Sequence, residues 1–288
     1  MDYRLILGDY TYSSWSLRGW LLLERFGLPF AIRRISFLDG PVAEQVAEIA
    51  PSRTVPSLVT EDGAVIWDSL AIAEELASRH PEAGHWPADP AARAAARSMA
   101  AEMHSSFAAL RDQCPMNLQS AYTGFEPSDR TRADLARIET LWSFARDRYG
   151  AAGPWLFGAY TAADAVFAPV AARIAGYGLA VGETAQAYVT AHLADPAFRR
   201  WRAMGIAHGE HLPWYERDYP KTGWPGPAPH PALAVASGTP ENATCPYSGD
   251  PVTHLMEIDG RIFGFCNAYC RDKTVADPTA WPAFTALL

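Results

Sequence analysis

The sequence predicts an α/β domain, then an all-α domain, then a small cysteine-containing tail. Three observations carry this. Strand-like and helix-like stretches alternate through the first 80 residues. From Pro90 onward apolar residues recur at helical spacing, helped by the Ala-rich run 91–101. Of the four cysteines, Cys114 stands alone, while Cys245, Cys266 and Cys270 gather near the end. A length of 288 residues accommodates two domains and a short remainder. The expected spans are 1–80, 90–215 and 226–288.

Composition bounds the function. Apolar residues make up 49% and charged residues 19%, as in a globular protein with a real core. A net charge of −8 argues against a nucleic-acid partner, which would require a positive field. No apolar stretch reaches 18 residues, so no membrane partner is expected. Met1-Asp2-Tyr3-Arg4 is not a basic-then-apolar leader, and the cysteine pattern is not a disulfide framework. The expectation is a soluble, reduced, cytoplasmic protein.

The elements follow in order. Arg4 to Gly8 reads as a buried strand, and a helix runs from about Trp15 to Phe26, stopped by Gly27 and Pro29. Phe30 to Ile35 is a strand, and Ala43 to Ile49 a short helix ended before Pro51. Two short strands, Ser57 to Thr60 and Ala64 to Trp67, flank the turn Glu61-Asp62-Gly63. Asp68 and Ser69 then open an amphipathic helix through Arg79. This βαβαββα order is the thioredoxin-like one. Pro81 to Asp89 reads as a linker. Helices are expected at Pro90–Met116, Asp129–Tyr149, Thr161–Tyr177, Glu183–Leu193 and Pro196–Ala207, with no strand among them. Lys221 to Pro240, rich in Pro and Gly, reads as a second linker.

Three stretches of the first domain suit a peptide-like ligand carrying a thiol. Pro56 before a strand restricts Val55 to extended geometry, and in a thioredoxin-like sheet that bond is cis. The Val55 backbone can then pair with a ligand as an added strand would. The plainer alternative is a strand-initiating proline. Asp68-Ser69 is an N-cap, and a helix N-terminus also leaves N–H groups for a carboxylate, with Asp68 open to an ammonium. Ser13-Ser14 precede the first helix, where the helix dipole and a hydroxyl donor stabilise a thiolate. Lowering a thiol pKa by ~2 units takes about 2.7 kcal/mol, roughly one charge-assisted hydrogen bond plus the helix terminus. No cysteine occurs there, so the thiol would come from the ligand; the alternative is that these serines are only caps.

Together these pieces resemble the glutathione transferase superfamily over about residues 4 to 210. Ser13-Ser14 with Arg18 is similar to the opening of the zeta class. Arg53-Thr54-Val55-Pro56-Ser57-Leu58 resembles the loop before the cis-proline, and Trp67-Asp68-Ser69-Leu70-Ala71-Ile72 the acidic-Ser segment. Thr161-Ala162-Ala163-Asp164 resembles the capping box of the core helix, a folding element rather than a site. The chain departs from the zeta pattern at Trp15, where Cys is usual, and at Arg53-Thr54, where Lys is common. These departures bear on isomerisation of maleylacetoacetate rather than on glutathione binding. The resemblance implies glutathione as co-substrate, held by Arg18, Arg53, Val55, Pro56, Asp68 and Ser69. It aligns Ser13 with the hydroxyl that donates to the thiolate, leaving Ser14 to cap the helix or offer its N–H. It also implies a homodimer. His104, Phe107 and Arg111, helix-face neighbours, are the candidates for the second substrate, unless that face only packs the interface. The implied activity is conjugation of glutathione to a small hydrophobic electrophile. The alternatives are a glutathione-dependent isomerase or peroxidase, and a non-catalytic glutathione-binding or metal-sensing protein.

In the tail, Cys245-Pro246-Tyr247-Ser248-Gly249 and Cys266-Asn267-Ala268-Tyr269-Cys270 flank a hairpin expected around Asp259-Gly260. This segment resembles small YHS or TRASH-type metal-binding modules. The resemblance implies a metal, expected to be zinc, held by Cys245, Cys266 and Cys270; a closed tetrahedral site needs a fourth ligand, for which His254 is the candidate. The alternative is a degenerate module with reduced thiols and no metal.

Overall fold

In the computed structural model, which describes residues 3–150 and 153–288, the first strand β1 (Tyr3–Leu7) is the centre of the first sheet. β1 pairs in parallel with β2 (Phe30–Arg34) and antiparallel with β3 (Ser57–Val59), and β3 pairs with β4 (Val65–Ile66). The order β2-β1-β3-β4 is a mixed sheet. Helix α1 (Ser14–Glu24) connects β1 to β2 as a crossover, which parallel pairing requires. Its residues 16–23 are all buried. The short helix α2 (Val42–Gln45) and the turn Ala47–Ile49 follow, and Ile6, Ile35, Val46 and Ile49 form one apolar cluster beside them. Helix α3 (Ser69–Arg79) packs on α1. Gly19 of α1 lies so close to Pro56 that a Cβ there would stand 2.6 Å from the proline's Cβ.

The helical region comprises α4 (Pro90–Ser105), α5 (Ala108–Gln113), α6 (Asp129–Tyr149), α7 (Ala162–Gly176) and α8 (Glu183–Ala194). The single helix expected over Pro90–Met116 is broken. Ser106 is extended, and Phe107 takes φ 60°, a left-handed conformation unusual for a bulky side chain. Phe107 is buried there, and Arg111 donates to the carbonyls of His104 and Ser106 at the break. A second difference is a two-residue ladder between β5 (Ala121–Tyr122) and β6 (Lys221–Thr222), inside a region expected to hold no strand. Helix α7 is buried along nearly its whole length and contacts both α1 and α4. No helix among the described residues is long and apolar enough to cross a membrane.

The chain divides into two compact units, Met1–Leu193 with Leu212–Pro225, and Ala194–His211 with Gly226–Leu288. The second contains α9 (Pro196–His208), β7 (Leu233–Val235), β8 (His254–Ile258), β9 (Arg261–Phe265), α10 (Ala268–Ala276) and α11 (Pro282–Thr285). β8 and β9 form the expected hairpin, with Asp259 and Gly260 both at positive φ in the turn. β7 adds a third strand from within the stretch expected to be linker. Helix α9, grouped by its sequence with the helical domain, packs instead on α10, and Arg199 forms a two-pronged ion pair with Asp277. The tail is too short to hold a core alone, and α9 supplies the missing layer.

One buried histidine links the helical region to pH. His192 of α8 lies edge-on to Trp155 and Tyr188, with ring centroids 5.1 and 4.5 Å away. Burial, then the charge of Arg25, pushes its pKa down to about 3. Between that value and the ordinary 6.5, the unfolded chain takes up a proton that the folded chain refuses, so stability falls as pH drops through this window. The slope is at most about 1.4 kcal/mol per pH unit. His192→Gln should flatten it, read as a smaller difference between urea midpoints at pH 7 and pH 4. The same difference in both proteins would remove His192 from the acid response.

Candidate active site

The loop between β1 and α1 is folded around one carboxylate. Asp9 Oδ1 accepts the N–H groups of Thr11 (2.7 Å) and Tyr12 (2.8 Å), and the Ser13 N–H donates to the Asp9 carbonyl (3.1 Å). Ser13, with φ −83° and ψ 92°, is the last extended residue before the helix, and its Oγ accepts the Ser16 N–H (3.3 Å). Its hydroxyl donates to Ser16 Oγ (2.8 Å), which accepts the Gly8 N–H (2.9 Å). The cap is therefore Ser13 and not Ser14. Ser14 is the first helical residue, with its hydroxyl 3.5 Å from Nη2 of Arg173.

Both serines line a cleft of about 390 Å³ in the first unit. Across from them stand Arg53 and Val55, from the loop before β3, and the Val55–Pro56 bond is cis. Helix α5 contributes Arg111, and α7 contributes Arg173. Of the residues singled out from the sequence, Ser13, Ser14, Arg53, Val55 and Arg111 thus meet in one cleft. Arg18, Pro56, Asp68, Ser69, His104 and Phe107 do not line it. Pro56 is buried against Gly19, and Phe107 is buried at the α4–α5 break.

Arg18 has an interior role. It is buried, its Nε donates to the Val166 carbonyl of α7 (2.9 Å), and its guanidinium lies 4.3 Å from the Trp15 ring. Burial, then Arg173 and Arg111, holds its pKa well below the usual arginine value. Asp68 is half-buried and divides its carboxylate. Oδ1 caps α3 through the Leu70 N–H (3.0 Å), and Oδ2 pairs with His104 Nε2 (3.1 Å). The Ser69 hydroxyl is fully buried with no hydrogen-bond partner in the protein, so it is still available to a ligand group reaching this helix end.

Trp15 organises the cationic side of the cleft. Arg18 and Arg111 both stand over its ring, at 4.3 and 4.9 Å, and His104 meets it edge-on at 5.0 Å. Two further residues of the wall escaped the sequence reading. Arg173 donates from Nε to the Cys114 carbonyl (2.8 Å) and from Nη1 to the Pro169 carbonyl (3.2 Å). Burial, then Arg111, lowers its pKa to about 10, which leaves it charged at neutral pH. A single arginine in the helix Ala162–Gly176, whose one other charged residue is the capping-box Asp164, was the available signal. Tyr215 arrives from the turn Pro213–Tyr215 and lies against Tyr12, ring centroids 5.1 Å apart, while burial pushes the Tyr12 hydroxyl up to about 12. Asp112 is the one carboxylate among the residues lining the cleft, against three arginines. The cleft therefore favours anions within a chain of net charge −8.

In the second unit, the sulfurs of Cys245, Cys266 and Cys270 all lie within 4.8 Å of one another. His254 stands outside this group, and its Nδ1 meets Thr253 Oγ1 at 2.9 Å. The expected tetrahedron thus lacks its histidine. Burial raises the Cys245 thiol, but N–H groups of Cys266, Tyr247 and Ser248 outweigh it and bring it down to about 7.

Comparison with known proteins places these features. Residues 12–79 match the family described as the glutathione S-transferase N-terminal domain. A probable maleylacetoacetate isomerase of Caenorhabditis elegans is 35% identical over 94 residues, which span 33% of this chain and 44% of the relative. Among solved structures, a glutathione transferase homologue from Burkholderia gl BGR1 with bound glutathione aligns with a TM-score of 0.52 at 24% identity, covering 69% of this chain and 95% of that one. Ure2p in complex with glutathione aligns at 0.55 and 19% identity, covering 70% and 92%. At these identities the structural likeness establishes the fold.

The division of labour between the two serines can be tested on the chain alone. Ser13→Ala removes the cap of α1 and should cost about 1 kcal/mol of stability, whereas Ser14→Ala should cost a few tenths at most. Urea unfolding of both variants checks this, and equal losses would contradict the cap assignment.

Proposed function

We propose, from the match of residues 12–79 to the glutathione S-transferase N-terminal domain family and from the glutathione transferase fold, that this chain activates glutathione and adds its thiolate to an electrophile bearing an anionic group. The supporting observation is the shared cleft. The Ser14 hydroxyl at the start of α1, the Val55 backbone after Arg53, and the Arg111 and Arg173 guanidinium groups face one volume. In this reading glutathione pairs with the Val55 backbone, and its carboxylates fall to Arg53 and to the N-terminus of α3, where the Ser69 hydroxyl awaits an acceptor or donor. The thiol lies at the α1 N-terminus, where the dipole and the Ser14 hydroxyl favour the anion. Ser14 takes this role because the Ser13 hydroxyl is already engaged with Ser16. Arg111 and Arg173 receive the electrophile's anionic group, and Tyr215 and Trp15 offer it apolar surface.

A second reading is a glutathione-dependent isomerase. Its support is the relative's name and the arginine pair, which suits an unsaturated carboxylic acid. Neutral chloronitrobenzene turnover alone would favour plain conjugation, and cis–trans conversion of an unsaturated keto-acid without net consumption of glutathione would favour isomerisation. A homodimer in the cytoplasm fits the same reading, and light scattering at micromolar concentration should give the mass of two chains.

Two substitutions probe the assignment. Ser14→Ala should return the bound thiol's pKa toward its free value near ~8.5 and slow turnover at neutral pH, with glutathione affinity little changed. Thiolate absorbance titrated against pH reads this directly, and a shift in Ser13→Ala alone would reverse the roles. Arg111→Gln should raise KM for a carboxylated electrophile about tenfold, near 1.4 kcal/mol, and leave KM for a neutral one unchanged. Equal effects on both substrates would remove Arg111 from anion recognition.

A further inference from the structure

We propose that Trp15 is a positioning residue of the cleft: its indole sets Arg111 in place, and so decides whether the site prefers an anionic electrophile to a neutral one. The inference rests on the function proposed for the cleft and adds the residue that controls its selectivity. Trp15 and Arg111 both line the cleft, and the Arg111 guanidinium carbon lies 4.9 Å from the centre of the Trp15 ring.

Arg111 needs such a support. Among the described residues no carboxylate pairs with it, and its hydrogen bonds to the His104 and Ser106 carbonyls are long, at 3.3 and 3.5 Å. Asp68 commits its oxygens to His104 and to the α3 cap. Arg18 and Arg173, both buried, feel the charge of Arg111, and the same repulsion pushes this half-buried guanidinium outward. An aromatic face attracts the cation without cancelling its charge, where an aliphatic side chain would only fill the space. The ring itself is anchored from the interior. Arg18 stands 4.3 Å from it and is tied through Nε to the Val166 carbonyl of α7. His104 meets its edge at 5.0 Å. Position is thus passed from α7 through Arg18 and Trp15 to Arg111. Trp15 also follows Ser14 directly, and consecutive Cα atoms stand about 3.8 Å apart. The first turn of α1 therefore carries the hydroxyl that meets the thiol and, one residue on, the support of the arginine that takes the electrophile's anion.

Two glutathione conjugates differing by one carboxylate, S-benzylglutathione and S-(p-carboxybenzyl)glutathione, test this by calorimetry on the full chain. The wild type should favour the carboxylated conjugate about tenfold. Trp15→Leu should reduce that preference about fivefold, and Trp15→Phe, which keeps a π face, should retain most of it. In an Arg111→Gln background Trp15→Leu should change the preference no further, since the two residues act as one unit. Trp15→Met, also without a π face, serves if Trp15→Leu does not fold, with circular dichroism as the check. A preference intact in Trp15→Leu, or equal losses in Trp15→Leu and Trp15→Phe, would overturn the inference and leave the proposed function standing. A loss that persists in the Arg111→Gln background would do the same. Binding of neither conjugate by the wild type, or equal binding of both, would overturn the proposed function and the inference together.

Discussion

Everything around the cleft depends on one buried carboxylate. Asp164 sits at the N-terminus of α7, fully enclosed, and four donors converge on it: the N–H of Leu156 (3.1 Å), the N–H and hydroxyl of Thr161 (2.8 and 2.9 Å), and the hydroxyl of Tyr188 (2.8 Å). Burial alone would favour the neutral acid, and these donors oppose it. The Ala162 N–H, next along, donates to the His85 carbonyl at 2.7 Å and ties the helix start to the segment before α4. With its start held from several sides, α7 presents the Val166 carbonyl to Arg18 and the Arg173 guanidinium to the cleft. On balance burial wins and the Asp164 pKa stands above the usual carboxylate value, so a carboxyl so enclosed depends on all of its partners.

The arginines around Trp15 follow a second physical rule. A carboxylate partner would neutralise each guanidinium and cancel the field in the cleft. The partners here are carbonyl oxygens and a π face instead: Val166 for Arg18, Cys114 and Pro169 for Arg173, His104 and Ser106 for Arg111, with the indole between Arg18 and Arg111. These partners hold the guanidinium groups in place without removing their charge, so the positive potential stays available to a ligand. Burial, and after it repulsion from neighbouring arginines, is the cost, and it lowers the pKa of both Arg18 and Arg173.

Local chemistry was legible in the sequence wherever a residue's role is decided by its immediate neighbours. The strands of the first sheet, the proline of the Val55–Pro56 pair, the Asp68 cap, the Thr161–Asp164 box and the Asp259-Gly260 turn all belong to this kind. What the sequence hid was decided by residues far along the chain. Arg18 reads as a ligand contact until Val166, 148 residues away, is seen to take its Nε–H. Which of Ser13 and Ser14 caps α1 turned on ψ at a single residue and on Ser16. Phe107 breaks a good helical pattern because burial of its ring and the bonds from Arg111 outweigh local propensity. The trio of sulfurs was foreseeable from the tail's resemblance to a metal-binding module, whereas His254, which opens β8, stands outside it.

The grouping of α9 with the tail bears on how this protein came to be joined together, and on where it can be divided. The path leaves the first unit at residue 193, returns for 212–225, and leaves again. An appended module would be severable by one cut in the Pro- and Gly-rich stretch after residue 225. Such a cut would here part α9 from α10, on which it packs, and leave Arg199 without Asp277. The tail has annexed a helix that precedes the stretch joining it to the body. The two units are therefore interlaced by chain path, and no single cut of the backbone separates the cysteine-bearing one whole from the other.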